Sequence, residues 1–214
     1  SQDFNDPDAF GQVDGAAAPR STGSILKPLL FAAAIDVGLL VPSSLLEDAP
    51  VAYGAFTPSN ADLQFRGLVT AERALVESLN VPAVALLADF GVPRFHHLLS
   101  DAGLTTLVRP PSDYGLTLIL GGAEAKLLEV VQLYAGLGSL GEFSPLRVLR
   151  DEDPSETAAH AGRQVVSAGA SFLTLEMLKG LGRPGAEYYW EQYQNQWPLA
   201  WKTGTSFGQR DAWA

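Results

Sequence analysis

Residues 24–38 read SILKPLLFAAAIDVG, and the run offers almost no polar face at any helical setting. A helix that is apolar all round belongs in the interior of a fold rather than on its surface. Pro28 stands early enough to occupy the first turn, where its missing N–H costs little. The stretch therefore predicts a buried central helix with Ser24 at its N-terminal end. Lys27 is the one cation in the run, three positions after Ser24 and on the same face, so its amine can reach the serine hydroxyl. A serine hydroxyl is a weak nucleophile at neutral pH, whereas a lysine held in apolar surroundings near a second cation sheds its proton more readily and can accept one. The helix start adds free N–H groups and partial positive charge where an attacked carbonyl gathers negative charge. Ser24 and Lys27 read as a nucleophile with its own base.

Two further segments extend this pattern, Ser78-Leu79-Asn80 and Lys202-Thr203-Gly204. The first supplies a polar bridge and the second a cationic strand edge, with Lys202 as the second cation. Each piece has a plainer reading on its own. Ser24 is then an N-cap, Lys27 a snorkelling lysine, Ser78 and Asn80 the end of one helix and the cap of the next, and Lys202 an exposed edge-strand residue. Against this, the residue frequencies of the chain produce SxxK or SxN roughly three times in ten and KTG about twice in a hundred. The ordered trio is a coincidence on the order of one in several thousand.

The chain has 214 residues, of which 47% are hydrophobic and 18% charged, enough to bury a sizeable core as one domain or one domain with a helical lobe. A net charge of -10 without any Lys/Arg block argues against nucleic acid or an anionic membrane surface as a partner. Cysteine is absent, which removes disulfides and thiolate metal sites and suits either redox compartment. His96 and His97 are adjacent, the wrong spacing for two ligands on one helix face, and His160 stands apart, so no metal and no cofactor is assigned. The longest apolar stretch, 29–41, is too short to span a bilayer and is broken by Asp36, while the N-terminal SQDFNDPDAF is acidic, unlike a signal region.

Along the chain, 1–23 reads as an irregular approach loop, and 41–69, punctuated by proline and glycine, as a long loop layer. Helices are predicted over 70–78, 81–90 and 93–102, then a loop over 104–122. A core helix follows over 124–137, with Leu127, Leu128, Val131 and Tyr134 on one side. Short β-type runs at 145–150 and 163–167 flank an acidic connector at 151–162, a helix spans 171–180, and a strand over 198–205 carries KTG ahead of a second strand near 214.

Residues around the three segments also carry a family resemblance. GQVDGAAAPRSTGSILKP (11–28), the run from Pro58 and Asn60 through Gly67 to SLNVPAV (78–84), LGGAEAKLLEVVQLYAGLGSLG (120–141) and WKTGTSFGQRDAWA (201–214) resemble the transpeptidase domain of class A penicillin-binding proteins, nearest the 1C type. The resemblance covers nearly the whole chain. It implies an α+β fold of the penicillin-binding and serine β-lactamase type, an antiparallel sheet packed on helices with a helix-rich lobe.

By matching position, the resemblance implies that Ser24 is acylated by a D-Ala-D-Ala peptide bond and that Lys27 is its base. Ser78 would relay a proton to the leaving amine, and Asn80 would hold the substrate amide. Lys202 would supply positive charge near Ser78 and the substrate carboxylate, which Thr203, Gly204 and Thr205 would help to bind. The backbone N–H groups of Ser24 and Thr205 would form the oxyanion hole. Which lysine or serine moves each proton stays open at this level.

The implied partners are a peptidoglycan stem peptide, as donor and as amine acceptor, and β-lactam antibiotics. Family domains have strands before residue 1 and after the KTG strand. Residues 1–214 are therefore expected to be a single transpeptidase domain cut at both ends from a longer, periplasm-facing polypeptide with a glycosyltransferase domain and a membrane anchor. A serine carboxypeptidase or β-lactamase, and a non-catalytic peptide or β-lactam receptor, are the competing classes. The Glu-x-x-Leu-Asn loop expected of a class A β-lactamase does not occur between 81 and 201.

Overall fold

A computed structural model describes residues 4, 5, 8, 11–146, 162–180, 199–206, 208 and 210–214. At its centre is helix α1 (Lys27–Asp36), in which residues 27–34 are all buried. Around it pack α2 (Ala71–Val76), α3 (Asn80–Phe90) and a late helix, α7 (Ala168–Lys179). The all-apolar run thus finds the interior position its composition demands. The helix opens at Lys27 rather than at Ser24. A helix capped by Ser24 would need the N–H of residue 28 to bond the Ser24 carbonyl, and Pro28 has none. The Ser24 carbonyl instead accepts from the Lys27 N–H at 3.2 Å, and the Thr22 carbonyl from Ile25 N–H at 3.2 Å, so Ser24 rides in tight turns just ahead of α1. At the far end, the Asp36 carboxylate accepts from Ser167 N–H at 3.1 Å and ties α1 to the start of α7.

Helix α2 follows the expected pattern, with Thr70 Oγ1 capping Arg73 N–H at 3.2 Å, and α3 and α4 (Val92–Asp101) each begin one residue before the predicted spans. The segment read as a loop layer differs. It contains β2 (Leu45–Asp48) and β3 (Gly67–Thr70), an antiparallel pair that sets Leu45 opposite Thr70 and Asp48 opposite Gly67. These are strands of four residues each, LLED and GLVT, in which apolar and polar residues do not alternate, so the two-residue period that reveals longer strands is missing from the sequence. The predicted loop at 104–122 likewise holds a short helix α5 (Pro111–Tyr114) and a 3-10 turn (Gly115–Leu120) that buries Leu118 and Ile119.

The remaining sheet is made of small antiparallel pairs. β1 (Arg20–Ser21), inside the predicted approach loop, pairs with β4 (Glu124–Ala125). β5 (Glu142–Phe143) pairs with β6 (Arg163–Gln164), so the partner of the 163–167 run lies before 145–150. Most of that predicted strand, and the acidic connector at 151–162, fall outside the described residues. β7 (Gly204–Thr205) pairs with β8 (Ala212–Trp213), which leaves Lys202 and Thr203 in extended chain just ahead of the strand.

Helix α6 (Leu127–Gly138) appears where predicted but turns a different side inward. Val130, Leu133 and Leu137 are buried, whereas Leu127, Leu128 and Val131 are 40%, 49% and 45% exposed. Leu127, Val131 and Tyr134 line a hollow of about 460 Å³ whose other walls include Ile25, Trp201 and Trp213. The helix is apolar on two sides, and spacing alone does not say which one meets the core.

Candidate active site

The three segments converge at the N-terminal end of α1. The Lys27 side chain is fully buried, and its Nζ donates to the Ser78 carbonyl at 2.8 Å, the Leu79 carbonyl at 3.1 Å and Asn80 Oδ1 at 2.8 Å. The Ser78 hydroxyl is a longer 3.5 Å away. Burial first, and the nearby charge of Lys202 second, hold the Lys27 amine well below the usual lysine range. Lys202, 2% exposed, donates to Ser78 Oγ at 2.7 Å and to its neighbour's carbonyl, Thr203 O, at 2.7 Å. Burial brings its ammonium down to about 8. Two lysines with weakened holds on their protons therefore meet at one serine hydroxyl.

The corner that permits this is strained. Ser78 joins α2 to α3 with φ of 57°, a left-handed conformation that a residue with a side chain adopts at a cost of about 1–2 kcal/mol. That turn aims the Ser78 carbonyl at Lys27 and its hydroxyl at Lys202, and the hydrogen bonds made there offset the cost. Asn80 begins α3 with its side chain stretched between two neighbours, Oδ1 on Lys27 and Nδ2 on the Ser59 carbonyl at 2.9 Å. Its backbone N–H donates to Asn60 Oδ1 at 2.8 Å.

Ser24 is partly exposed, one turn from Lys27. Among the described residues its hydroxyl has no hydrogen-bond partner. The direct link from Lys27 Nζ to Ser24 Oγ allowed by the spacing is not made, because the carbonyls of 78 and 79 and the Asn80 amide take the amine.

Backbone rather than side chains docks the KTG segment on this turn. A methyl group on Gly204 would stand 2.5 Å from Ile25 Cγ2 and 2.9 Å from the Thr22 carbonyl oxygen. Gly23, at φ +51°, presses on Thr205 from the opposite side: a Cβ there would meet its carbonyl oxygen at 2.6 Å and its nitrogen at 2.8 Å. Ser24 and Thr205 are thereby held as near neighbours, with the Thr203 and Thr205 side chains exposed beside them. Tyr134 supports the turn from behind, donating its hydroxyl to the Ile25 carbonyl at 2.9 Å, and Trp213 Nε1 donates to the Ser21 carbonyl at 2.8 Å.

The three segments named from the sequence thus meet at one corner, Lys27, Ser78, Asn80 and Lys202 through hydrogen bonds and Gly23 and Gly204 through close backbone contact. Sequence reasoning gave no role to Gly23, Tyr134 or Asn60, whose positions follow from long-range contacts that carry no local pattern. Asn60 was visible only as part of a run shared with a family. Among the described residues no cluster of His, Asp or Glu could hold a metal ion, and no helix is long and apolar enough to cross a membrane.

A family model, described as the penicillin binding protein transpeptidase domain, matches residues 3–210, so the chain belongs to that family. Its α+β fold is that of penicillin-binding transpeptidase domains. The chain is 39% identical over its whole length to penicillin-binding protein 1C of Escherichia coli strain K12, of which it covers 27%. It is 33% identical over 96% of its length to penicillin-binding protein 1B of Vibrio cholerae, again covering 27% of that protein. The chain therefore spans about a quarter of the curated relatives it matches. Among solved structures, a peptidoglycan glycosyltransferase from Burkholderia ambifaria superposes with a TM-score of 0.72 at 17% identity, over 89% of this chain and 65% of that one. The apo TP domain of penicillin-binding protein 3 from Burkholderia pseudomallei gives 0.68 at 18% identity, over 79% of this chain and 56% of that one.

Two stability measurements check the site's construction. Gly38 has φ of +74° with no atom near its Cβ position, so Gly38→Ala reports the backbone cost alone, about 1 kcal/mol. Gly23→Ala adds a collision with the Thr205 backbone and should cost at least about 1–3 kcal/mol more by urea unfolding; equal losses would show that the KTG segment does not rest on Gly23. The second concerns Lys202, whose folded value near 8 lies below its ordinary 10.5. Between those values the unfolded chain binds the additional proton, so native stability rises with pH in that window. Lys202→Met lacks this gain. Its stability relative to native is therefore greatest below pH 8 and falls by the order of 3 kcal/mol toward pH 10.5; a constant difference would contradict the burial of this ammonium.

Proposed function

We propose that this chain is the serine D,D-transpeptidase unit of a peptidoglycan-synthesising enzyme. The observation that carries the reading is the meeting of the Lys27 and Lys202 amines at Ser78, beside a serine whose hydroxyl has no partner among the described residues. In the proposed reaction the Ser24 hydroxyl attacks the carbonyl of the terminal D-Ala-D-Ala peptide bond. Its proton passes to Lys27, whose burial favours the neutral amine that can take it. The oxyanion lies between the backbone N–H groups of Ser24 and Thr205, which the Gly23 contact keeps close. Ser78, hydrogen-bonded to Lys202, delivers its proton to the departing D-alanine amine and is reprotonated by Lys27, 3.5 Å from its hydroxyl, which leaves an ester on Ser24. An amine from a second stem peptide then attacks the ester, restores the serine and forms the cross-link. Lys202, Thr203, Gly204 and Thr205 receive the terminal carboxylate of the donor.

Asn80 acts in this scheme on the substrate amide with the Nδ2 hydrogen that does not bind Ser59, while its Oδ1 holds Lys27. A β-lactam enters as an analogue of the donor, and its opened ring stays on Ser24 as a slow ester. As one transpeptidase domain over residues 1–214, the chain would work on the periplasmic side of the inner membrane within a larger protein. That protein would carry a glycosyltransferase domain and an N-terminal anchor. Relatives four times as long support this setting.

Incubation with a fluorescent penicillin, followed by intact mass and peptide mapping, tests the reading. The expected result is one long-lived adduct per chain on Ser24, absent in Ser24→Ala. Rapid turnover of the penicillin would point to a hydrolase, and no adduct on folded protein would leave only a non-catalytic receptor.

A further inference from the structure

Beneath the SxN segment lies a buried polar pair that the proposed reaction does not use. Asn60 is 3% exposed and Asp48 fully buried. Asn60 Nδ2 donates to the Asp48 carboxylate at 2.8 and 3.0 Å and to the Gln64 carbonyl at 2.8 Å. Its Oδ1 accepts from the N–H groups of Asn80 at 2.8 Å and Val81 at 3.3 Å. Asp48 is itself fixed by Arg66 N–H at 2.9 Å and by the Arg66 guanidinium 4.0 Å away.

All the hydrogen-bonding capacity of the Asn60 amide is therefore spent, with donors toward the loop and acceptor toward the helix. The two N–H groups it receives are among those a helix start leaves without intrahelical partners. They belong to the turn that carries Asn80, whose Oδ1 holds the Lys27 amine. The neighbouring Ser59 carbonyl takes the other end of the same side chain. Residues 59 and 60 thus grip Asn80 by both its main chain and its amide.

We propose that Asn60, braced by Asp48, is a positioning residue for acylation: it holds the first turn of α3 so that Asn80 faces Lys27. The inference rests on the transpeptidase reading above. The site asks for a donor toward Asp48 and an acceptor toward α3 on one side chain. Aspartate at 60 would set two carboxylates against each other in a buried site, and leucine would strand the Asn80 and Val81 N–H groups.

The swap Asp48→Asn with Asn60→Asp restores the donor–acceptor match between 48 and 60, although the Gln64 carbonyl, which receives Asn60 Nδ2 at 2.8 Å in the native chain, then faces a carboxylate oxygen. The new amide at 48 donates to the new carboxylate at 60, which still accepts from Asn80 and Val81. It also brings a negative charge one residue closer to the lysine pair. Lys27 then holds its proton to higher pH, as would Lys202, the other titratable group whose charge bears on it, while Arg66 keeps its place beside 48.

The test measures the second-order rate constant for fluorescent-penicillin acylation against pH in the full-length protein, with unfolding followed in parallel. Asn60→Asp is expected to lose about tenfold or more. The swap is expected to regain part of this loss, since only the Gln64 contact stays unmatched, with its acid limb displaced to higher pH. A folded Asn60→Asp protein that acylates within about twofold of native at every pH would overturn the proposal. Should Asn60→Asp not fold, the place of Asn80 Oδ1 in a crystal structure of Asn60→Ala decides instead: a contact with Lys27 kept at 2.8 Å overturns the proposal, and one drawn away supports it. If native protein takes up no penicillin, the transpeptidase reading fails separately. A crystal structure of Asn60→Ala then decides, with Asn80 Oδ1 drawn away from Lys27 in support and the native 2.8 Å contact retained against.

Discussion

The amine of Lys27 is the point on which this molecule turns. An ammonium with no access to water costs several kcal/mol unless its hydrogens are received, and here it sits at the start of a helix with no polar face. The fold answers with three acceptors drawn from one corner, the carbonyls of 78 and 79 and the Asn80 amide. Meeting that need explains the left-handed Ser78, because only a sharp reversal between α2 and α3 turns both its carbonyl and its hydroxyl toward the lysines. Asn80 meets part of that need with a neutral amide oxygen rather than a carboxylate. Stabilisation of Lys27 is deliberately incomplete in physical terms: the acceptors are neutral, and Lys202 adds repulsion, so the proton is held weakly.

The second constraint is backbone contact. Two main chains can approach more closely than side chains usually allow only where glycine stands at the contact. Gly23 and Gly204 provide that closeness from opposite sides, one against Thr205 and the other against Ile25. The small β7–β8 pair, with Trp213 anchored on the Ser21 carbonyl, then carries the KTG segment against the turn that precedes α1. Packing of α1 among α2, α3 and α7 fixes the turn, and Tyr134 closes it from α6.

Much of this was legible in the chain before any coordinates. Apolarity on every face of 24–38 placed α1 at the centre, and the ordered trio named residues that the fold gathers at the N-terminal end of α1. The family resemblance extended that to the whole domain. What stayed hidden depends on partners distant in sequence or on single missing atoms. Pro28 moved the helix start because one N–H is absent, and Lys27 faces Ser78 because the α2–α3 corner lies beside it, fifty-one positions away. Four-residue strands left too little alternation to read, and α6 carries two apolar sides of which only the core could choose one. Asn60 looked like a loop residue, since its partners at 48, 64 and 80 meet only after folding.

Direct titration of Lys27 is the closest test of the central claim. With lysine side chains isotopically labelled, the ε-carbon shift of residue 27 can be followed against pH by NMR and assigned through Lys27→Arg. A midpoint well below 10.5, moving upward in Lys202→Met, is the result required by a buried amine weakened by its neighbour. A midpoint at the ordinary lysine value, unchanged by that substitution, would contradict it.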